Sequence, residues 1–454
     1  MKKAAKVLSL VLVLAMVVGC FAACGSKDAE GGKQGKVLNI YCWNEEFKQR
    51  LEALYPGYTK DEKDANKGKI GDVTVVWNIT ANEGMAYQNK LDEALKNQKD
   101  AKADDKVDLF LIEADYALKY VEPNVSMSLK DLGIDVSKDL ANQYKYTQDI
   151  VTDSKGNLKG ASWQGCPAGL IYRTDIAEEV LGTSDVDKVQ EAVKDWASFE
   201  ATAAKMQEKG YAMVAGFDDS YRVFSNNVTS AWVDADKNVV VDKRIWDWVD
   251  QTKKFTDNNY NLKDSLWGEG PWKEGFFLTG KTFCYFGPAW FIDFCMNCSE
   301  PGSVGEAGKW HITVGPEGFF WGGTWVCAAT GTDNSELVKD IILKMTADTD
   351  TLVKLAEKFS DFVNDKPAME KLAADSKIGN KYLGGQNLYG VLAEGANKIS
   401  IKYASAYDQG CNENFQACMK EYFLGNATFE EALEAFKQKI KTAYPDVKVD
   451  KIAR

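Results

Sequence analysis

Histidine is almost missing from this chain: His311 is the only one in 454 residues. Its scarcity removes the commonest general base and the commonest zinc ligand. It also leaves no conventional Ser–His or Cys–His nucleophile pair except one built on His311. His311 lies in GKWHITVGP, which alternates like a strand, and so reads as structural. Carboxylates alone can hydrolyse glycosides, so a secreted carbohydrate hydrolase stays open as an alternative. A basic surplus is also lacking. Lys and Arg number 55 against 67 Asp and Glu, a net charge of −12 that argues against nucleic acid or an anionic lipid surface as partner. No glycine-rich dinucleotide fingerprint, phosphate-binding loop, HExxH or EF-hand loop occurs. Cys295 and Cys298 form a CxxC with no second pair and no nearby histidine, which speaks against zinc and for packing or a local disulfide. The other cysteines beyond the leader (Cys42, Cys166, Cys284, Cys327, Cys411 and Cys418) are irregularly spaced, and a domain of this size needs no staples.

What is present begins with the leader. Lys2, Lys3 and Lys6 precede a run, residues 7–18, that is apolar except for Ser9. This is a secretory signal, too short for a stable membrane span. Val17-Val18-Gly19-Cys20 meets the strict pattern for lipid attachment to cysteine, and Phe21-Ala22-Ala23-Cys24 a looser one. Cys24 is favoured over Cys20 because the polar, Gly-rich GSKDAEGGKQG follows it directly, as a flexible tether should. Residues 1–24 are thus expected to be signal and residues 25–35 tether, with the rest working outside the cytoplasm near a membrane.

From residue 36 strands alternate with helices. KVLNIY, DVTVVWN and VDLFLIE read as strands, with helices expected over 45–54, from Asn82 to 95 and from 115. The alternation predicts βαβ units in an open, mostly parallel sheet, with residues 60–71 as a charged loop. Two Gly-punctuated extended segments, GASWQGCPAGLIYRTD (160–175) and GFFWGGTWVCAA (318–329), bracket a second α/β block. They read as crossings between two lobes. The last 120 residues are expected to be mainly helical, including a helix over 388–404. The lobes are expected at 36–163 plus 324–384 and at 164–323 plus 385–454, with a ligand cleft between them.

The aromatics carry the chemistry. Thirteen tryptophans are present, many in Gly/Pro-punctuated turns: Trp43, Trp163, Trp267, Trp272, Trp290, Trp321 and Trp325. Sugar rings stack apolar C–H faces on such surfaces, while their hydroxyls need donors and acceptors beside the stack. Asn44 and Glu45 follow Trp43, Gln164 follows Trp163, and Glu269 lies between Trp267 and Trp272. Glu113 and Asp115 end the third strand two residues apart and point roughly the same way. They suit hydroxyl binding, with Asp115 partly a helix cap. Asn226, Asn227, Tyr403 and Tyr407 are candidates on the other lobe. Trp77, Trp196, Trp246 and Trp248 read as core.

In order along the chain, these segments resemble the extracellular solute-binding proteins of carbohydrate ABC importers, the group that includes the maltose-binding protein. The match runs through KVLNIYCWNEEF, VDLFLIEADYALKYV, GASWQGCPAGLIYRTD, GKTFCYFGPAWFIDF and GFFWGGTWVCAATGTDNSELVKDIILKM. Ala289 between Pro288 and Trp290 departs from the family pattern, as do the cysteines and the loop at 60–71. The resemblance implies a two-lobed α/β periplasmic-binding-protein-like fold joined by a multi-strand hinge, without catalysis, cofactor or metal. It implies a monomer that binds a carbohydrate and meets permease subunits. By it, Trp290 stands where a sugar-stacking aromatic stands, Asp115 where an acid contacts ligand, and Tyr407 where an aromatic closes the cleft. The expected contacts are Trp43, Asn44, Glu45, Glu113, Asp115, Trp163, Gln164, Asn226, Trp267, Trp290, Trp325 and Tyr407. A binding protein for a peptide would share the fold with different contacts.

Overall fold

Three parallel strands set the frame. The computed structural model describes residues 35–452 and Arg454; Cys20, Cys24, the signal and most of the tether lie outside the described residues. The strands run in chain order as β1 (Val37–Cys42), β2 (Tyr58–Lys60), β3 (Lys67–Ile70), β4 (Val73–Ile79), β5 (Leu109–Glu113), β6 (Ala161–Ser162) and β7 (Pro167–Arg173). They continue as β8 (Val214–Gly216), β9 (Asn261–Asp264), β10 (Cys284–Pro288), β11 (Trp310–Thr313), β12 (Phe319–Phe320) and β13 (Thr324–Ala328).

One sheet has the order β2-β3-β4-β1-β5-β13-β6. β4, β1 and β5 are parallel, as the sequence predicts, because a helix returns the chain between each pair. The rest of the sheet is antiparallel, which corrects the expectation of a mostly parallel one. Residues 60–71 are not simply a loop: β2 and β3 fold back on β4, the K-G-K-I alternation placing Lys67 and Lys69 on the exposed face of the sheet. β13 pairs antiparallel to β5 because it enters from the other lobe and not through a crossover helix. The second sheet is β10-β7-β11, with β12 also pairing with β7, all antiparallel. β8 and β9 form a separate parallel pair.

Helices cover both sheets and are started by the expected chemistry. Asp195 accepts from the Ser198 amide at 2.7 Å to cap Trp196–Glu208, and Asp242 caps Lys243–Asp257 through the Arg244 amide at 2.8 Å. Each cap is worth about 1 kcal/mol. Asn82 is not a cap; the helix begins at Ala86 after Met85 turns left-handed. The helix expected over 388–404 ends at Ala396, and the segment after it is irregular until Asp408–Phe423. That helix, Leu388–Ala396, packs on β7 and on Lys366–Ala374.

Where the chain leaves the first sheet, its backbone is pinned. The Gly165 amide donates to Phe362 O (2.9 Å), Asn364 N to Trp163 O (2.8 Å) and Trp321 N to Cys166 O (3.1 Å). Gly323, at φ +104°, takes a conformation that side chains rarely allow, so the return crossing needs glycine there. The eight cysteines in the described residues are free, so Cys295 and Cys298 make no local disulfide.

Candidate functional site

Because β1 and β5 are parallel neighbours (Ile40 opposite Leu109), the segments after their carboxyl ends emerge at one edge of the first sheet. Trp43, half-buried, sets its edge against Tyr87 (5.5 Å between centroids) and Tyr116 (6.3 Å). The Asn44 side chain accepts from the Glu46 amide at 3.0 Å, and Glu45 pairs with Lys48 at 3.4 Å. Glu113 accepts from the Asp115 amide at 2.8 Å.

The facing wall belongs to the second lobe. Arg222, on helix Tyr221–Asn226, reaches Asp115 with both arms of its fork, at 3.1 and 2.8 Å. The same guanidinium lies over the Trp321 ring, 5.1 Å from its centroid. Trp321 in turn packs with Trp290 (5.2 Å) and Trp267 (5.6 Å), and the Trp290 indole N–H donates to Trp321 O at 3.2 Å. Trp267 is 53% exposed and left-handed at φ +66°, a strained arrangement that clusters at ligand sites. Asn226 accepts from the Phe320 amide at 2.8 Å, beside this cluster.

Glu113, Asp115, Trp290 and Trp267 are thus joined through Arg222 and Trp321, two residues that the expected contacts omit. Trp321 carried a signal, standing among the Gly-punctuated tryptophans of the return crossing (FWGGTW). Arg222 carried none, because its partner is 107 positions away. Trp163 and Trp325 do not wall a ligand. They are 0% and 1% exposed; Trp163 stacks on Phe47 at 5.1 Å, and Trp325, on β13 between β5 and β6, donates to Thr147 O at 2.7 Å. Tyr407 accepts from Lys237 at 2.7 Å and packs on Tyr444. Gln164 is buried and donates to Glu46 at 2.6 Å. Glu46 leads to a further set missed in the sequence: Arg50 lies 3.3 Å from Glu46 and forks onto Asp361 at 2.9 and 3.0 Å.

A cavity of about 570 Å³ opens beside this edge, not at the tryptophans. Leu118, Glu122 and Asp153 line it from the first lobe, and Ile401, Lys402 and Ser405 from the segment leading into Asp408–Phe423. No group of three or more His, Cys, Asp or Glu is placed to hold a metal ion among the described residues.

Two carboxylates share one cation here, and that sets their charge. Burial opposes ionisation of Asp115, but the Arg222 fork holds it below the usual carboxylate range. Burial and the neighbouring Asp115 charge push Glu113 up to about 8 against the opposing Arg222 charge. Burial, with Asp361 next, pushes Glu46 and Asp293 up to about 7. Burial and Asp218 push Asp219 up to about 7. Carboxyls raised by folding bind protons that the unfolded chain, titrating near 4, has released. Their stabilising effect is complete below about pH 4 and is lost as pH rises through 7 to 8. The midpoint of thermal unfolding is therefore expected to fall between pH 5.5 and 8.5 in a calorimetric series; a rise over that range would contradict these shifts.

A family model described as bacterial extracellular solute-binding protein matches residues 58–379, more than two thirds of the chain. Among curated proteins, none matches. Solved structures share the fold. One, an extracellular solute-binding protein family 1 member, has a TM-score of 0.72 at 18% identity, covering 89% of this chain and 99% of its own. The sugar-binding protein MalE from Xanthomonas citri has a TM-score of 0.66 at 14% identity, covering 89% and 97%. The ABC transporter associated binding protein of B. animalis subsp. lactis Bl-04, in complex with beta-1,6-galactobiose, has 0.63 at 17%, covering 91% and 99%.

Proposed function

The chain belongs to the bacterial extracellular solute-binding proteins, and from that premise we propose that it captures a sugar or short oligosaccharide between its lobes and delivers it to an ABC importer. One observation carries the sugar: tryptophans 267, 290 and 321 on one lobe stand across from Glu113 and Asp115 on the other, linked through Arg222. Flat aromatic surface beside paired acceptors is what a ring with an apolar face and equatorial hydroxyls requires. The fold neighbour crystallised with beta-1,6-galactobiose supports the same class.

In this reading Trp290 and Trp267 stack on the ligand and Trp43 walls the first lobe. Glu113 and Asp115 bond hydroxyls, with Asn44, Glu45 and Asn226 at the rim. The lobes are residues 36–163 with 324–384 and residues 164–323 with 385–454, a division that the two separate sheets support. Ligand touching both lobes favours the closed form, and the importer accepts that form. The protein is a monomer without enzymatic activity, and returns its sugar unaltered. Lipid on Cys24, or on Cys20, keeps it at high local concentration beside permease subunits outside the membrane. The leader supports the anchor, and no helix among the described residues is long and apolar enough to cross a membrane.

A thermal-shift screen across mono- and oligosaccharides tests the class, since a bound ligand raises stability by mass action. A response to peptides and none to sugars would overturn it. With a responding sugar in hand, Trp290→Ala is expected to weaken binding tenfold or more, about 1.4 kcal/mol. Unchanged affinity by calorimetric titration would remove Trp290 from the site.

A further inference from the structure

We infer that Arg222 is a latch that closes the unliganded cleft by occupying the place of the ligand. Its guanidinium makes two contacts at once, the bidentate pair with Asp115 across the lobes and the stack over Trp321. Among the described residues, it forms the ion pair that ties the carboxyl edge of β5 to the second lobe. Both partners are groups that a sugar needs: an acceptor for hydroxyls and an aromatic face. A planar, weakly hydrated fork is suited to serve both, whereas a lysine ammonium would serve neither as well. The helix Asp408–Phe423 also meets the first lobe here, lying against Ala114–Tyr116, so closure at this point brings two elements of the second lobe onto the edge.

The pair is crowded by protein but not sealed from solvent. The Arg222 and Asp115 side chains keep 31% and 37% of their exposure, so water and salt reach them and the latch can open. A solvent-reached pair of this kind is screened at high ionic strength, where the Debye length falls to about 3 Å at 1 M. Exclusion between latch and ligand rests on the carbohydrate reading above; closure without ligand does not.

Hydrogen exchange of the full lipidated chain in detergent micelles, with no sugar added, separates the two. In Arg222→Ala, amides of residues 109–121 and 319–324 are expected to exchange threefold or more faster than in the native chain. Arg222→Lys, which keeps charge but loses fork and stack, is expected to do the same. In 1 M NaCl the native chain is expected to approach the Arg222→Ala rates, and the variant to change little. Unchanged exchange in Arg222→Ala, or full protection retained by Arg222→Lys, would overturn the latch. Faster exchange in β4 and in Lys243–Asp257 as well would also overturn it, by making Arg222 a support of the fold and not a bridge. None of these outcomes depends on which solute the protein carries, so the latch can fail while the sugar reading stands.

Discussion

Trp163→Ala is expected to lower the free energy of unfolding by about 3–5 kcal/mol, the range for truncating a large aromatic in a packed interior. Trp163 has no exposed surface, and its ring stacks on Phe47 at an interplanar angle of 26°. Phe47 in turn meets Trp77 edge-on at 6.2 Å, so the loss opens a void between the helix Glu46–Leu54 and the crossing segment. The backbone on either side is fixed by the Asn364 and Gly165 amide bonds, which limits collapse into that void. Sugar affinity, measured where the variant is fully folded, is expected to stay within about threefold, or about 0.7 kcal/mol. Urea denaturation and calorimetric titration of the same preparation decide it. A large loss of affinity with native stability would return Trp163 to the ligand wall.

That contrast marks what the sequence can and cannot carry. Parallel strands and their intervening helices were legible because each element has its own period, although neither intervening helix carries a side-chain cap. The two crossings were legible from their glycines. The exposure of a tryptophan beside a glycine was not. Trp325 lies in TWVCA, a strand held between β5 and β6, and a strand buried on both faces reads as the same run of large apolar residues whether or not a ligand meets it. Trp321, four residues earlier, stands before the turn and reaches Arg222. Pairing register separates the two, and register is a property of two segments. The same limit hid Arg222 and the Arg50–Asp361 pair, whose partners lie 107 and 311 positions away. It also hid the edge hairpin β2–β3, since a charged alternation at low hydrophobicity resembles a loop until a strand lies beside it.

Removing the carboxylate in Asp361→Ala is expected to cost about 3–5 kcal/mol, because it leaves a guanidinium inside the protein without its main partner. Side-chain exposure is 2% for Arg50 and 4% for Asp361, and two hydrogen bonds join them. Glu46, 3.3 Å from Arg50, supplies a second anion, which favours the lower end of the range. The change has a pH signature that a simple cavity lacks. Asp361 helps to push up Glu46 and Asp293, both to about 7, so its removal lets both ionise at lower pH. The part of the stability lost between pH 4.5 and 7 through those two groups therefore shrinks in the variant. Thermal midpoints of the native chain and the variant are expected to differ most near pH 5 and to converge toward pH 8. A constant difference across that range would separate Asp361 from the other two carboxyls. Glu46 is also held by Gln164, one residue after Trp163 in the crossing, so the charge of this cluster acts on the segment that joins the lobes. Arg50 and Asp361 thus fix the fold at the hinge, while Arg222 and Asp115 bridge it at the rim: the first pair is too dry to release, the second wet enough to open.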